Sequence, residues 1–184
     1  MRQPTLWFLT PFALITLTKR SYAVYGLSLQ HPKSVRFHML VIAAVFVPYV
    51  IGHYALAVWW LGATFRLHVP AQLLQSAFDQ LLVVGLPEEF FFRGYLQTEC
   101  DRAWGKPYRL LGAECRLGVP VAAALFAVCH VFHGGPGRLI VFFPGLLYGW
   151  LRARTSTILV PAAYHAGSNL LMQVMLASLV VSRT

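Results

Sequence analysis

The chain has 184 residues and a formal net charge of +9, with hydrophobic residues at 58% and charged residues at only 11%. A soluble domain carries roughly 25% charged residues, so the composition, with a mean hydropathy of +0.61, excludes an ordinary soluble protein and indicates an integral membrane protein. The basic residues lie between apolar runs and form no single patch, which argues against nucleic acid as a partner and for orientation by the positive-inside effect, with lipid as the surroundings.

At roughly 20 residues per span, residues 1–184 accommodate one all-α domain, a polytopic transmembrane helix bundle of about six spans. The first apolar run, Thr5 to Thr18, is short and interrupted by Pro11. Its basic flank, Lys19-Arg20, follows the run, so it reads as a retained span with the N-terminus outside and not as a signal peptide. A linker from Lys19 to Phe37 leads to span two, His38 to Leu61, which ends in Trp59-Trp60 as an interfacial aromatic pair. After a loop holding Arg66 and Pro70, span three runs from Ala71 to Gln97, and the polar segment Thr98 to Arg116 follows. Span four covers Leu117 to Val131, with Pro120 in its first turn, where proline is tolerated. The turn His133-Gly134-Gly135-Pro136-Gly137 leads into span five, Arg138 to Trp150, and span six runs from Thr157 to Val181.

The basic residues test this alternation. Eleven fall in the first linker, between Arg93 and Arg116, and at Arg152 and Arg154; four, Arg2, Arg66, Arg138 and Arg183, fall on the other side. The split puts the first set in the cytoplasm and both termini outside. Cys100, Cys115 and Cys129 form neither a CxxC pair nor a zinc spacing and read as free thiols.

Span three carries Glu88-Glu89-Phe90-Phe91-Phe92-Arg93. Charged side chains at bilayer depth cost at least roughly 2.5–3.5 kcal/mol each, so three within six positions mark a candidate site. Glu89 and Arg93 are four apart and share a helix face, so the arginine can hold that carboxylate ionised. Glu88, about 100° round the helix, is left free to act as a general base on water. The bland alternative is an ion pair anchoring a helix end.

Two further pairs stand at helical spacing. Phe126-x-x-x-His130 lies in span four, where a lone histidine is commonly a hydrogen-bonded core residue, and His133 lies at the loop edge. His165-x-x-x-Asn169 lies in span six, with Ser168 and Gln173 as ordinary interhelical hydrogen-bonding groups. Counted from the cytoplasmic ends, Glu88, His130 and His165 sit at similar depths of roughly 13–20 Å, which predicts one polar cluster near mid-membrane.

The ordered set EExxxR, FxxxH and HxxxN resembles the membrane-embedded glutamic proteases of the CAAX-protease and bacteriocin-processing (CPBP) family. Phe142-x-x-Gly145-x-x-x-Gly149-Trp150, Arg154-Thr155-Ser156 and Pro161 look like that family's small-residue span and turn, and the likeness covers about Ala71 to Leu171. The resemblance implies peptide-bond hydrolysis by activated water inside the membrane, with no cofactor. Glu88 then corresponds to the general base, His130 to its partner on the water, His165 and Asn169 to the oxyanion-stabilising pair, and Glu89 with Arg93 to the groups that orient the site. Its implied partner is a membrane-anchored or C-terminally hydrophobic protein substrate. The chain departs from the larger eukaryotic relatives in having six spans instead of eight, and its compactness suggests a bacterial inner-membrane protein close to the processors of C-terminal sorting signals. Three alternatives stay open. They are a zinc site from Glu88 or Glu89 with His130 and His165, a membrane chaperone or immunity protein that binds a peptide without cutting it, and a small ion-coupled transporter. The last fits poorly, because no repeat of spans is present.

Overall fold

The computed structural model describes residues 3–28, 34–60 and 62–181. Arg2, Lys33, Arg183 and the end of span two at Leu61 lie outside the described residues. Among the described residues six helices make up the bulk: α1 (Gln3–Leu17), α2 (35–60), α3 (73–103), α4 (Gly118–Gly134), α5 (Phe142–Thr155) and α6 (Leu159–Ser178). The described residues also form two short antiparallel ribbons. Strand β1 (Ala63–Phe65) pairs with β4 (Leu179–Val181), while β2 (Tyr108–Leu110) pairs with β3 (Ala113–Cys115).

Helix α3 is the axis of the bundle. Its aromatic face meets α1, with Trp7 against Phe91 and Phe92 and Phe8 against Phe90. Its polar face meets α6 and then α5. The residues that turn to α6 are Ser76, Gln80, Gly85 and Glu89. Their spacing is four, five and four, and the step of five falls in Asp79–Gly85, where the helix widens to i→i+5 turns. A second widened stretch, Phe90–Leu96, follows the two glutamates. Such bulges insert one residue into a helix and alter which face it presents afterwards. At Gly85 a Cβ would lie 3.1 Å from Ala162 O, so only glycine lets the two helices approach this closely.

Several boundaries differ from the sequence reading. Helix α3 runs on to Ala103, because Glu99 and Arg102 pair on its surface at i and i+3 and Asp101 accepts the Gly118 N–H at the start of α4. The rest of the polar segment, for which the sequence reading assigned no structure, contains the β2–β3 hairpin. Span five begins as a tight 3-10 turn, Pro136–Val141, after the glycine-rich corner, and its α-helix is shifted to Phe142–Thr155. Span six ends at Ser178, whose hydroxyl bonds His68 N and O, and β-branched Val180 and Val181 continue as a strand. Helix α2, over Arg36–Trp60, is long and apolar enough to cross a bilayer alone; α1 and α4 are shorter apolar helices.

Helix α2 stands away from the bundle. It meets α5 and α6 at one end, through Val41, Tyr148, Leu151 and Tyr164, and meets α6 again where Tyr49 donates to Met172 Sδ at 3.3 Å. Between α2 and α6 lies an apolar groove of about 710 Å³, lined by Phe46, Val50, Gly167 and Leu171 among others. At the opposite end of α3 from the β1–β4 ribbon, the basic segments meet one another. Arg20 bonds Glu99, Arg152 donates to Val24 O, and Trp150 donates to Leu110 O. The three cysteines are free thiols.

Candidate active site

The site grows from Glu89. Its side chain is fully buried, as is that of Arg93 one turn on, and Arg93 Nη1 donates to Glu89 Oε1 at 2.9 Å. The other arginine arm, Nη2, donates to Gly145 O at 3.2 Å. Because Gly145 has no side chain, α5 can pack against Ala123 of α4 and still offer its carbonyl to the guanidinium. Aromatic faces complete the cage, with Arg93 Cζ 4.4 Å from the ring centre of Phe126 and 5.3 Å from that of Tyr148. The positive charge is thus met by one carboxylate, one carbonyl and π-faces, while Arg93 Nε is buried without a hydrogen-bond partner among the described residues.

From α6, His165 reaches the same carboxylate. Its Nδ1–H donates to Glu89 Oε1 at 2.9 Å, and its Nε2 lies 3.9 Å from Glu88 Oε2. The ring is stacked on Tyr148 at 5.2 Å and meets Phe126 edge-on at 5.8 Å, so packing as well as hydrogen bonding fixes its plane. Tyr148 is itself held by donating to Ser168 Oγ at 2.8 Å. A histidine whose Nδ1 proton is committed to a carboxylate has a defined tautomer, and Nε2 carries a second proton only in the imidazolium.

Glu88 is the odd member of this group. Its side chain is 13% exposed, and its Oε2 is buried without a hydrogen-bond partner. Glu89 Oε2 is likewise buried without a partner, but Glu89 is fully buried and its Oε1 accepts from both Arg93 and His165, whereas among the described residues Glu88 makes no hydrogen bond through either oxygen. The structure therefore brings Glu88, Glu89, Arg93 and His165 together and leaves Glu88 as the carboxylate that is partly exposed and not fixed by hydrogen bonds.

The remaining sequence candidates lie around this group. His130 sits across Phe126, ring centres 4.3 Å apart, with its Nδ1–H donated to Phe126 O at 2.9 Å. Among the described residues no hydrogen bond or ion pair joins it to Glu88. His133, in the last turn of α4, is exposed and bonds Cys129 O through Nδ1. Asn169, one turn along α6 from His165, donates from Nδ2 to Gln80 Oε1 at 2.7 Å. Gln173, a further turn along, donates to Ser76 Oγ at 3.3 Å. Among the described residues no three His, Cys, Asp or Glu side chains converge as ligands for a metal ion, since His130 faces its own helix carbonyl while His165 faces Glu89.

Two residues of this constellation escape sequence reasoning. Gln80 lies in an apolar run outside any motif, and Tyr148 reads as one more aromatic of span five. The available signal for Gln80 is its position eight residues before Glu88, where a polar side chain at bilayer depth requires a partner.

The family model described as Type II CAAX prenyl endopeptidase Rce1-like matches residues 70–171, the stretch that contains every residue of the site. Neither a curated protein nor a solved structure matches the chain.

Proposed function

Because the chain belongs to the Rce1-like type II CAAX prenyl endopeptidase family, a family of helical membrane proteases, we propose that it is a glutamate-dependent intramembrane endopeptidase cutting near the C-terminus of a membrane-associated protein. The observation that carries this reading is the asymmetry of the glutamate pair. Arg93 and His165 immobilise Glu89 through its Oε1, and Glu88 beside it, the partly exposed member, is held by no hydrogen bond among the described residues and has its Oε2 3.9 Å from His165 Nε2.

In this reading Glu88 takes a proton from water as the water oxygen bonds to the scissile carbonyl carbon, and His130 holds that water from the α4 side. Charge develops on the carbonyl oxygen. The N–H groups of His165 Nε2, in the imidazolium form, and Asn169 Nδ2 stabilise it in a site that holds little competing water. Collapse of the tetrahedral intermediate breaks the C–N bond, and the proton held by Glu88 passes to the leaving amine, which restores the carboxylate. Glu89 and Arg93 do not touch the reacting atoms; they fix His165. Six helices at bilayer depth, with the basic end in the cytoplasm, give the topology. A compact core with little periphery favours substrates carrying C-terminal sorting signals.

The test is cleavage of C-terminally anchored candidate substrates in membranes, comparing wild type with Glu88→Ala, His130→Ala and Glu89→Ala, with and without a chelator. Shortening by wild type that both Glu88→Ala and His130→Ala abolish, and that chelator leaves intact, is the expected result. Cleavage that survives Glu88→Ala would remove the proposed base, and loss on chelation would replace it with a metal.

A further inference from the structure

We infer that Gln80 is a positioning residue: it sets the amide plane of Asn169 so that one Nδ2–H is left aimed at the acyl oxygen. The inference deepens the protease reading and rests on it. An asparagine amide rotates about two bonds, so as an oxyanion donor it depends on a neighbour that holds its plane. Gln80 Oε1 does so, accepting from Nδ2 at 2.7 Å. That contact commits one of the two amide protons and turns the acceptor edge away, and the second proton on the same nitrogen stays available.

The backbone of α3 makes the contact possible. Gln80 lies within the widened stretch Asp79–Gly85, and the Gly85 approach to Ala162 O brings α3 against α6 at this level. The glutamine–asparagine bond thus sits on the same α3–α6 seam as the Glu89–His165 bond, one turn of α6 away. One bond holds each of the two proposed oxyanion donors, and both come from α3. The next rung outward, Gln173 to Ser76 at 3.3 Å, joins the same helices but touches neither donor, which makes it the internal control.

The experiment compares wild type with Gln80→Met, Asn169→Ala, the double variant and Gln173→Met, measuring kcat and KM in membranes and unfolding midpoints in detergent. Methionine keeps the length of glutamine and removes its hydrogen-bonding groups, and the midpoints report whether each variant folds. Loss of an outer partner of a metal ligand typically costs about 10–100-fold, which serves as the scale for a partner of an oxyanion donor, and loss of such a donor itself costs about 10²–10³-fold in kcat. Gln80→Met is expected to lower kcat about 10–100-fold with KM unchanged, to add nothing to Asn169→Ala, and to be unlike Gln173→Met, which keeps kcat. Losses that multiply in the double variant, or a normal kcat in Gln80→Met, would overturn the inference. The unfolding midpoints of the same four-member cycle need no substrate: additive shifts for Gln80 and Asn169 would overturn it as well. A wild type that cleaves nothing while those midpoints remain coupled would count instead against the protease reading, and with it against any catalytic role for the contact.

Discussion

Helix α3 carries two glutamate–arginine clusters ten residues apart, and they behave as opposites. In each, one Oε1 atom collects the partners: Arg93 and His165 on Glu89, and Arg20, Arg102 and Tyr25 on Glu99. The inner pair is fully buried, whereas the side chains of Glu99, Arg20 and Arg102 are 29%, 43% and 41% exposed. The same chemistry therefore does different work. Exposed charges exchange protein partners for water at little cost, so the outer cluster ties the first linker to the end of α3 and is worth little by itself. Buried charges lack that alternative, so each inner group is held to one geometry by the penalty of being left alone.

The sharpest way to break this comparison is Arg93→Met. It strands Glu89 without its cation and is expected to cost about 3–5 kcal/mol of stability together with all activity, read from thermal unfolding in detergent and substrate cleavage. A Glu89→Met/Arg93→Met double variant should recover part of the stability and none of the activity. Next in size is Glu88→Gln, which keeps shape and removes the proposed base. Cleavage is expected to fall about 10²–10⁴-fold while the unfolding midpoint holds.

At the outer cluster, Glu99→Gln should lower the midpoint by no more than about 2–4 °C near neutral pH and leave kcat unchanged. Burial pushes the Glu99 carboxyl up, but the Tyr25 and Arg20 hydrogen bonds and the Arg102 charge outweigh it and hold the group below its ordinary value of 4.5. A depressed carboxylate stabilises the fold above that ordinary value and loses its contribution as pH falls through the native one. The difference between wild type and Glu99→Gln should accordingly vanish on acidification, as measured by midpoint against pH. Asp101, which burial pushes up, is present in both proteins and cancels in that difference. The smallest effect is that of salt. Raising ionic strength to about 1 M should erase most of the Glu99 contribution and leave the Glu89 cluster unaffected.

The site was legible where its logic is local. Glu89 and Arg93 share a face by spacing alone, and His165 and Asn169 lie one turn apart on α6, so a reader of the sequence can assemble each pair. Similar depth joins Glu88 to His165, and the structure brings them to 3.9 Å. What spacing could not show is which groups meet across helices. Nothing at position 80 predicts a bond to position 169, because that contact depends on the close approach at Gly85 and on a change of helix pitch. Boundaries failed for a related reason. The polar stretch after Gln97 reads as the end of span three by composition, yet Asp101 capping Gly118 keeps it helical to Ala103.

The widened stretch of α3 can also be read as a phase correction. In a uniform helix advancing about 100° per residue, residues 80 and 85 would point about 140° apart, and a seam begun at Ser76 would have left α6 before reaching the glutamates. One residue gained in Asp79–Gly85 resets the phase, so polar groups at the two ends of α3 serve one neighbour. The widened turn is consequently where α3 can lose a residue but not gain one: deleting a single residue between 81 and 84 would leave a regular step of four and keep the glutamates on the α6 face, whereas inserting one would point them elsewhere.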